Sequence, residues 1–127
     1  MTDRMGFQYV VLRCVPRVDR EEFVNVGVVL YCQKADFLAA GCHVDERRLT
    51  AVAPEVDVAA VRSALATVAA VCRGDTATGK AGEGPLGTRF GFLSAPRSTV
   101  VQPGPIHGGR TTDPGRELDH LLDRLVR

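Results

Sequence analysis

Residues 7–32 read Phe7-Gln8-Tyr9-Val10-Val11-Leu12-Arg13-Cys14-Val15, then Pro16-Arg17-Val18-Asp19-Arg20-Glu21-Glu22, then Phe23-Val24-Asn25-Val26-Gly27-Val28-Val29-Leu30-Tyr31-Cys32. Two runs dense in β-branched and aromatic residues are separated by a short polar stretch that opens on a proline. Such runs are strands, and apolar side chains on both faces make them central in a sheet. A connection this short joins neighbouring strands antiparallel. Residues 33–36 form a turn. Phe37 to Val44, weakened by its alanines and Gly41, is the third strand of a meander.

Downstream the period changes. Asp45-Glu46 opens a short helix that Pro54 ends. Asp57 caps a second helix reaching about Cys72, with Val58, Val61, Leu65, Val68 and Cys72 on one apolar stripe. Residues 73–88 hold five glycines and one proline, which predicts a flexible loop. Thr88 to Ser94 is a short-helix candidate, Ser98 to Gln102 a fourth strand, and Pro103 to Gly109 a rigid loop. Asp113 and Pro114 suit the N-cap and first position of a last helix, whose Leu118, Leu121, Leu122 and Leu125 share a face. The expectation is one α+β domain over residues 1–127. It has an antiparallel sheet of three to four strands, helices packed on one face, and a C-terminal amphipathic helix.

Composition bounds the function. The chain has 127 residues, 45% hydrophobic and 24% charged, with a net charge of +1. These values exclude a disordered or fibrous chain and give no bulk charge for nucleic acid or an anionic membrane. No apolar run approaches the roughly 18 residues of a membrane-spanning helix. The start, Met1-Thr2-Asp3-Arg4, lacks the pattern of a signal peptide, so the expected location is cytoplasmic. Cys14, Cys32, Cys42 and Cys72 show no C-x-x-C spacing. They are expected to be reduced and to pack as small apolar residues, with no metal site and no cofactor.

Three motifs invite a chemical reading. Gly74 to Lys80 fits the start of a phosphate-binding loop. Ala81 stands where a hydroxyl must hold magnesium, and a helix precedes the loop instead of a strand, so the match is chance. The second motif is Asn25-Val26-Gly27 inside a strong strand. On a regular strand Phe23, Asn25, Gly27 and Val29 share one face. Either Asn25 bonds neighbouring backbone while Gly27 gives structural clearance, or Asn25 lines a shallow site with Glu22 at its rim. The third is Ser94-Ala95-Pro96-Arg97-Ser98-Thr99, followed by Gln102 and His107. A guanidinium fork among hydroxyls suits a phosphate or carboxylate. A solvated turn, in which Ser94 and Ser98 satisfy backbone groups, is the other reading. His107 could serve as a general base only with a partner group; a solvent-facing or structural imidazole is its alternative.

The blocks at Tyr9 to Pro16, Glu21 to Leu30, Leu93 to His107 and Thr111 to Leu122 together resemble a bacterial domain-of-unknown-function family, number three thousand and thirty-seven. The resemblance covers nearly the whole chain apart from residues 73–84. Its most specific parts are E-F-x-N-V-G and S-A-P-R-S, which fall on Glu22, Asn25, Gly27, Ser94, Arg97 and Ser98. The aromatic that often precedes the leucine of the second block is Phe92 here. The resemblance implies no catalytic residue, but it does imply a context: such proteins are often encoded beside a HipA-like kinase. The expected function is therefore a small, non-enzymatic intracellular partner or regulatory subunit of such a kinase. The alternative is an enzyme or ligand-binding domain acting on an anionic or phosphorylated small molecule through Arg97, Ser98, Asn25 and Glu22. A small anion and a second copy of the chain stay open as partners.

Overall fold

The computed structural model describes residues 3–127. Met1 and Thr2, which entered the reading of the N-terminus, lie outside the described residues. Strand β1 (Met5–Cys14) pairs antiparallel with β2 (Val24–Cys32), and β2 with β3 (Phe37–Cys42). Helices α1 (Glu46–Val52), α2 (Val58–Arg73) and α3 (Leu86–Ser94) follow. The chain then returns to the sheet through β4 (Val101–Pro103) and β5 (His107–Thr111), and ends in α4 (Pro114–Leu125). Both short strands run antiparallel to β1, β4 beside Leu12 to Cys14 and β5 beside Met5 to Tyr9. The sheet order is β3-β2-β1-β4, with β5 also on β1. This is the α+β antiparallel architecture expected, with one more strand.

Local chemistry sets the helix ends. Asp45, Asp57 and Asp113 each accept a hydrogen bond from the backbone amide three residues on, at Arg48, Ala60 and Arg116. Gly74 closes α2 at φ 72°, a left-handed conformation that costs glycine nothing. Residues 73–88 are more ordered in conformation than a loop. They contain a 3-10 helix (Thr76–Gly82) capped by Asp75, and α3 starts at Leu86. Arg89 ties this stretch back to α2 by donating to the carbonyls of Val71 and Cys72 at 3.2 and 2.8 Å.

The helices divide between the two faces of the sheet instead of sharing one. Val10, Leu12, Val26 and Val29 pack with Leu49, Val61, Leu65 and Phe90 of α1, α2 and α3. Tyr31 stacks on Phe90 at 5.5 Å. Phe7, Val28, Leu30 and Cys32 pack with Leu118, Leu121 and Leu122 of α4. The reason is in β2 itself: a strand apolar on both faces needs a cover on each.

The expected rigid loop at 103–109 is instead the end of β4, a break at 104–106 and the start of β5. Gly108 and Gly109 belong to the strand. A Cβ on Gly109 would lie 2.6 Å from Cζ of Phe7, its cross-strand partner. The Phe7 ring fills the space that a side chain on that glycine would occupy.

Candidate functional site

The candidate residues are arranged by a β-bulge. Leu12 pairs with Gly27, but the next residue, Arg13, pairs with Asn25, so Val26 is extra. Asn25 and Gly27 therefore face opposite sides of the sheet, although a regular strand would put them together. Gly27 is buried, and a Cβ on it would meet the Gly41 carbonyl oxygen at 2.9 Å and Leu12 at 3.3 Å. Asn25 Nδ2 donates to the Leu125 carbonyl at 3.0 Å, and Arg48 donates to the Val126 carbonyl at 2.8 Å. These donors meet the last carbonyls of α4, where the helix dipole is negative. Asn25 thus fastens α4 to the sheet, and Gly27 gives the clearance.

Most of the other sequence candidates are engaged locally. Glu22 accepts from Arg20 on an exposed loop, beside a hollow of about 240 Å³ that Pro16, Arg17, Pro54 and Glu55 also line. Arg97 donates to the carbonyls of Phe92 and Ala95 and lies 4.8 Å over the Phe92 ring. It acts as a cap on the C-terminus of α3. Ser94 donates to the Gly91 carbonyl at 3.4 Å, and Ser98 is exposed. His107 is exposed, pairs with Tyr9 in register, and stacks on its ring at 5.3 Å. Asn25 is held by α4 and Arg97 by α3, so their hydrogen bonds build no common site.

One residue that the sequence reading passed over stands out. Arg13 lies in β1 opposite Asn25 on one side and Gln102 on the other. Its guanidinium sits 4.0 Å over the Phe23 ring. On Gly104 a Cβ would come within 2.7 Å of its Nη2, so the guanidinium packs close to the backbone there. Nε is buried without a hydrogen-bond partner, as is Oδ1 of Asn25. Among the described residues Arg13 enters no ion pair. It lines a hollow of about 390 Å³ with Ser94, Pro96, Pro103, Gly104, Pro105 and Ile106. The signal was present in the sequence as a lone arginine inside an apolar strand.

Residues 9–126 match the family model described as Protein of unknown function (DUF3037). The chain belongs to this family. No curated protein and no solved structure matches it. The DUF3037 match runs from within β1 through α4, so it takes in the bulge, Arg13, Gly104 and the S-A-P-R-S block.

The thiols of this DUF3037 member are free, with Cys14, Cys32 and Cys72 buried and Cys42 retaining exposed surface. Burial pushes the thiols of Cys14 and Cys42 above their ordinary value, and that of Cys72 up to about 12. A raised value keeps each as a neutral thiol at neutral pH and makes it a poor nucleophile. Among the described residues no three His, Cys, Asp or Glu side chains gather as a metal site needs. Among the described residues no helix is long and apolar enough to cross a membrane.

Proposed function

We propose that this chain is a small intracellular docking subunit that binds another protein over the part of the sheet α4 leaves open. The observation that carries this is the surface around β1. α4 packs over β2 and β3. On the same face of β1, Tyr9, Val11 and Arg13 stay half-buried, and Phe23 and Ile106 are 45% and 50% exposed. Aromatic residues and arginine are enriched at the centres of protein interfaces because they bury much area and pair well. The occupant is an acidic, apolar segment of a partner: its carboxylates complement Arg13 and its apolar side chains cover Phe23 and Ile106.

We take a HipA-like kinase as that partner, on the gene context that the resemblance implies, with this chain as its regulatory subunit. Co-expression followed by size exclusion and calorimetry tests this. The two proteins are expected to co-elute and to bury on the order of 1,200–2,000 Å² in total. Phe23→Ser and Ile106→Ser are each expected to weaken binding by about 2 kcal/mol, some 30-fold. Separate elution at micromolar concentration, with no heat of binding, removes the proposal. The small-molecule alternative, an anion held by Arg97, Ser98, Asn25 and Glu22, is less favoured, because Nε and Nη2 of Arg97 are turned onto the Ala95 and Phe92 carbonyls.

A further inference from the structure

We infer that Arg13 is the receiving group of a carboxylate subsite, which takes an Asp or Glu side chain of a docked partner segment. This rests on the docking face proposed above and gives it a specific chemistry.

A guanidinium is always charged and carries five donors in a rigid fork. In proteins such a group that is partly withdrawn from water is paired with a carboxylate, because an unsatisfied buried donor loses its hydration for nothing. Arg13 has neither ion-pair partner nor acceptor for its buried Nε among the described residues. None of the residues lining its hollow is acidic.

The fork is bordered on two sides. The Phe23 ring lies 4.0 Å from its central carbon, and Gly104 lies so close that a Cβ would overlap Nη2. Phe23 immediately precedes β2 and Gly104 lies in the break between β4 and β5, so two separate parts of the fold border one side chain. A group already placed loses less freedom when it binds.

The lining selects the ligand. Pro96, Pro105 and Ile106 make most of the hollow apolar, and among the described residues Ser94 alone supplies a side-chain hydroxyl to it. A phosphate wants several donors, commonly a helix N-terminus or a nest of amides. Here the neighbouring helix end is the C-terminus of α3, which offers no free amides to a phosphate. A single carboxylate, attached to a segment with apolar neighbours, fits one fork and an apolar rim.

The test uses the full chain, with the Arg13 Nε–Hε resonance followed by NMR. The probes are acetyl-Leu-Asp-Phe-amide, the matched acetyl-Leu-Asn-Phe-amide, and inorganic phosphate, each titrated to about 10 mM, where contacts worth a few kcal/mol become visible. The aspartyl peptide is expected to shift Arg13 together with Ile106, at least tenfold more tightly than the asparaginyl peptide. Arg13→Lys is expected to lose most of that preference, because it keeps the charge and loses the fork. Equal response to both peptides overturns the inference, as does silence at Arg13. A response to phosphate alone also overturns it and makes the hollow a free-anion site. The two proposals fail separately. A kinase that binds Arg13→Lys as tightly as the native chain sinks the subsite and leaves docking intact. A selective peptide response in a chain that ignores the kinase does the reverse.

Discussion

Replacing Gly27 with alanine should lower stability, although glycine-to-alanine changes in regular structure usually raise it. Gly27 lies outside the left-handed region, so alanine can adopt its backbone conformation and restricts the unfolded chain, a gain of about 0.4–1 kcal/mol. Against this stands the new methyl group, placed 2.9 Å from the Gly41 carbonyl, 3.3 Å from Leu12 and 3.4 Å from Cys42. Leu12 and Cys42 can yield a few tenths of an ångström. The carbonyl belongs to β3, which is held in ladder register with β2, Val28 opposite Gly41. Overfilling a packed core costs about 1–3 kcal/mol. The net expectation is a loss of about 1–2 kcal/mol. For 127 residues at about 2.1 cal/mol/K each, the unfolding entropy is about 0.27 kcal/mol/K, so Tm should fall by about 4–8 °C. Calorimetric or circular-dichroism melts at pH 7 measure it. Gly91→Ala is the control, since nothing lies within 4 Å of its added methyl in α3, and it should stabilise by about 0.5–1 kcal/mol. A Gly27→Ala protein that melts at or above the native temperature would refute the close-approach argument.

Asn25→Ala removes the donor to Leu125 and should cost about 1 kcal/mol. Amide exchange in the last turn of α4 should quicken more than in α2, and unchanged protection there would show that Asn25 does not hold the helix. A thiol reagent should label Cys42 in the native protein and Cys14, Cys32 and Cys72 only after unfolding; native labelling of all four contradicts the burial. Stability should fall at alkaline pH. The Cys72 thiol titrates near 9.0 when exposed and at about 12 when folded, so its contribution is complete below pH 9 and is lost as pH rises towards 12. In that window the unfolded chain binds fewer protons, and the slope is about −1.4 kcal/mol per pH unit for this one group. Cys72→Ala should flatten it, and an equally steep decline in that variant would assign the effect elsewhere.

The sequence by itself determined the elements whose cause is local. The β-branched runs of β1 and β2, the stripe of α2, and the Asp113-Pro114 start of α4 act through neighbours within a turn or along a strand. Their places could be read from spacing alone. The family blocks were legible in the same way, and Gly27 announced a close approach that the structure contains. What only the tertiary structure decided concerns residues far apart in the chain. β5 was hidden because Gly108 and Gly109 lack strand propensity; it is a strand because Phe7, about a hundred residues earlier, covers Gly109. The bulge at Val26 depends on how β1 and β2 register, and it sends Asn25 to α4 instead of to the face Gly27 occupies. Arg97 looked free in sequence and is bound by the end of its own helix, whereas Arg13 looked like part of a strand and is left without a counter-charge. A hydrogen-bond partner or a missing one is a property of three-dimensional neighbours, and no period in the sequence encodes it.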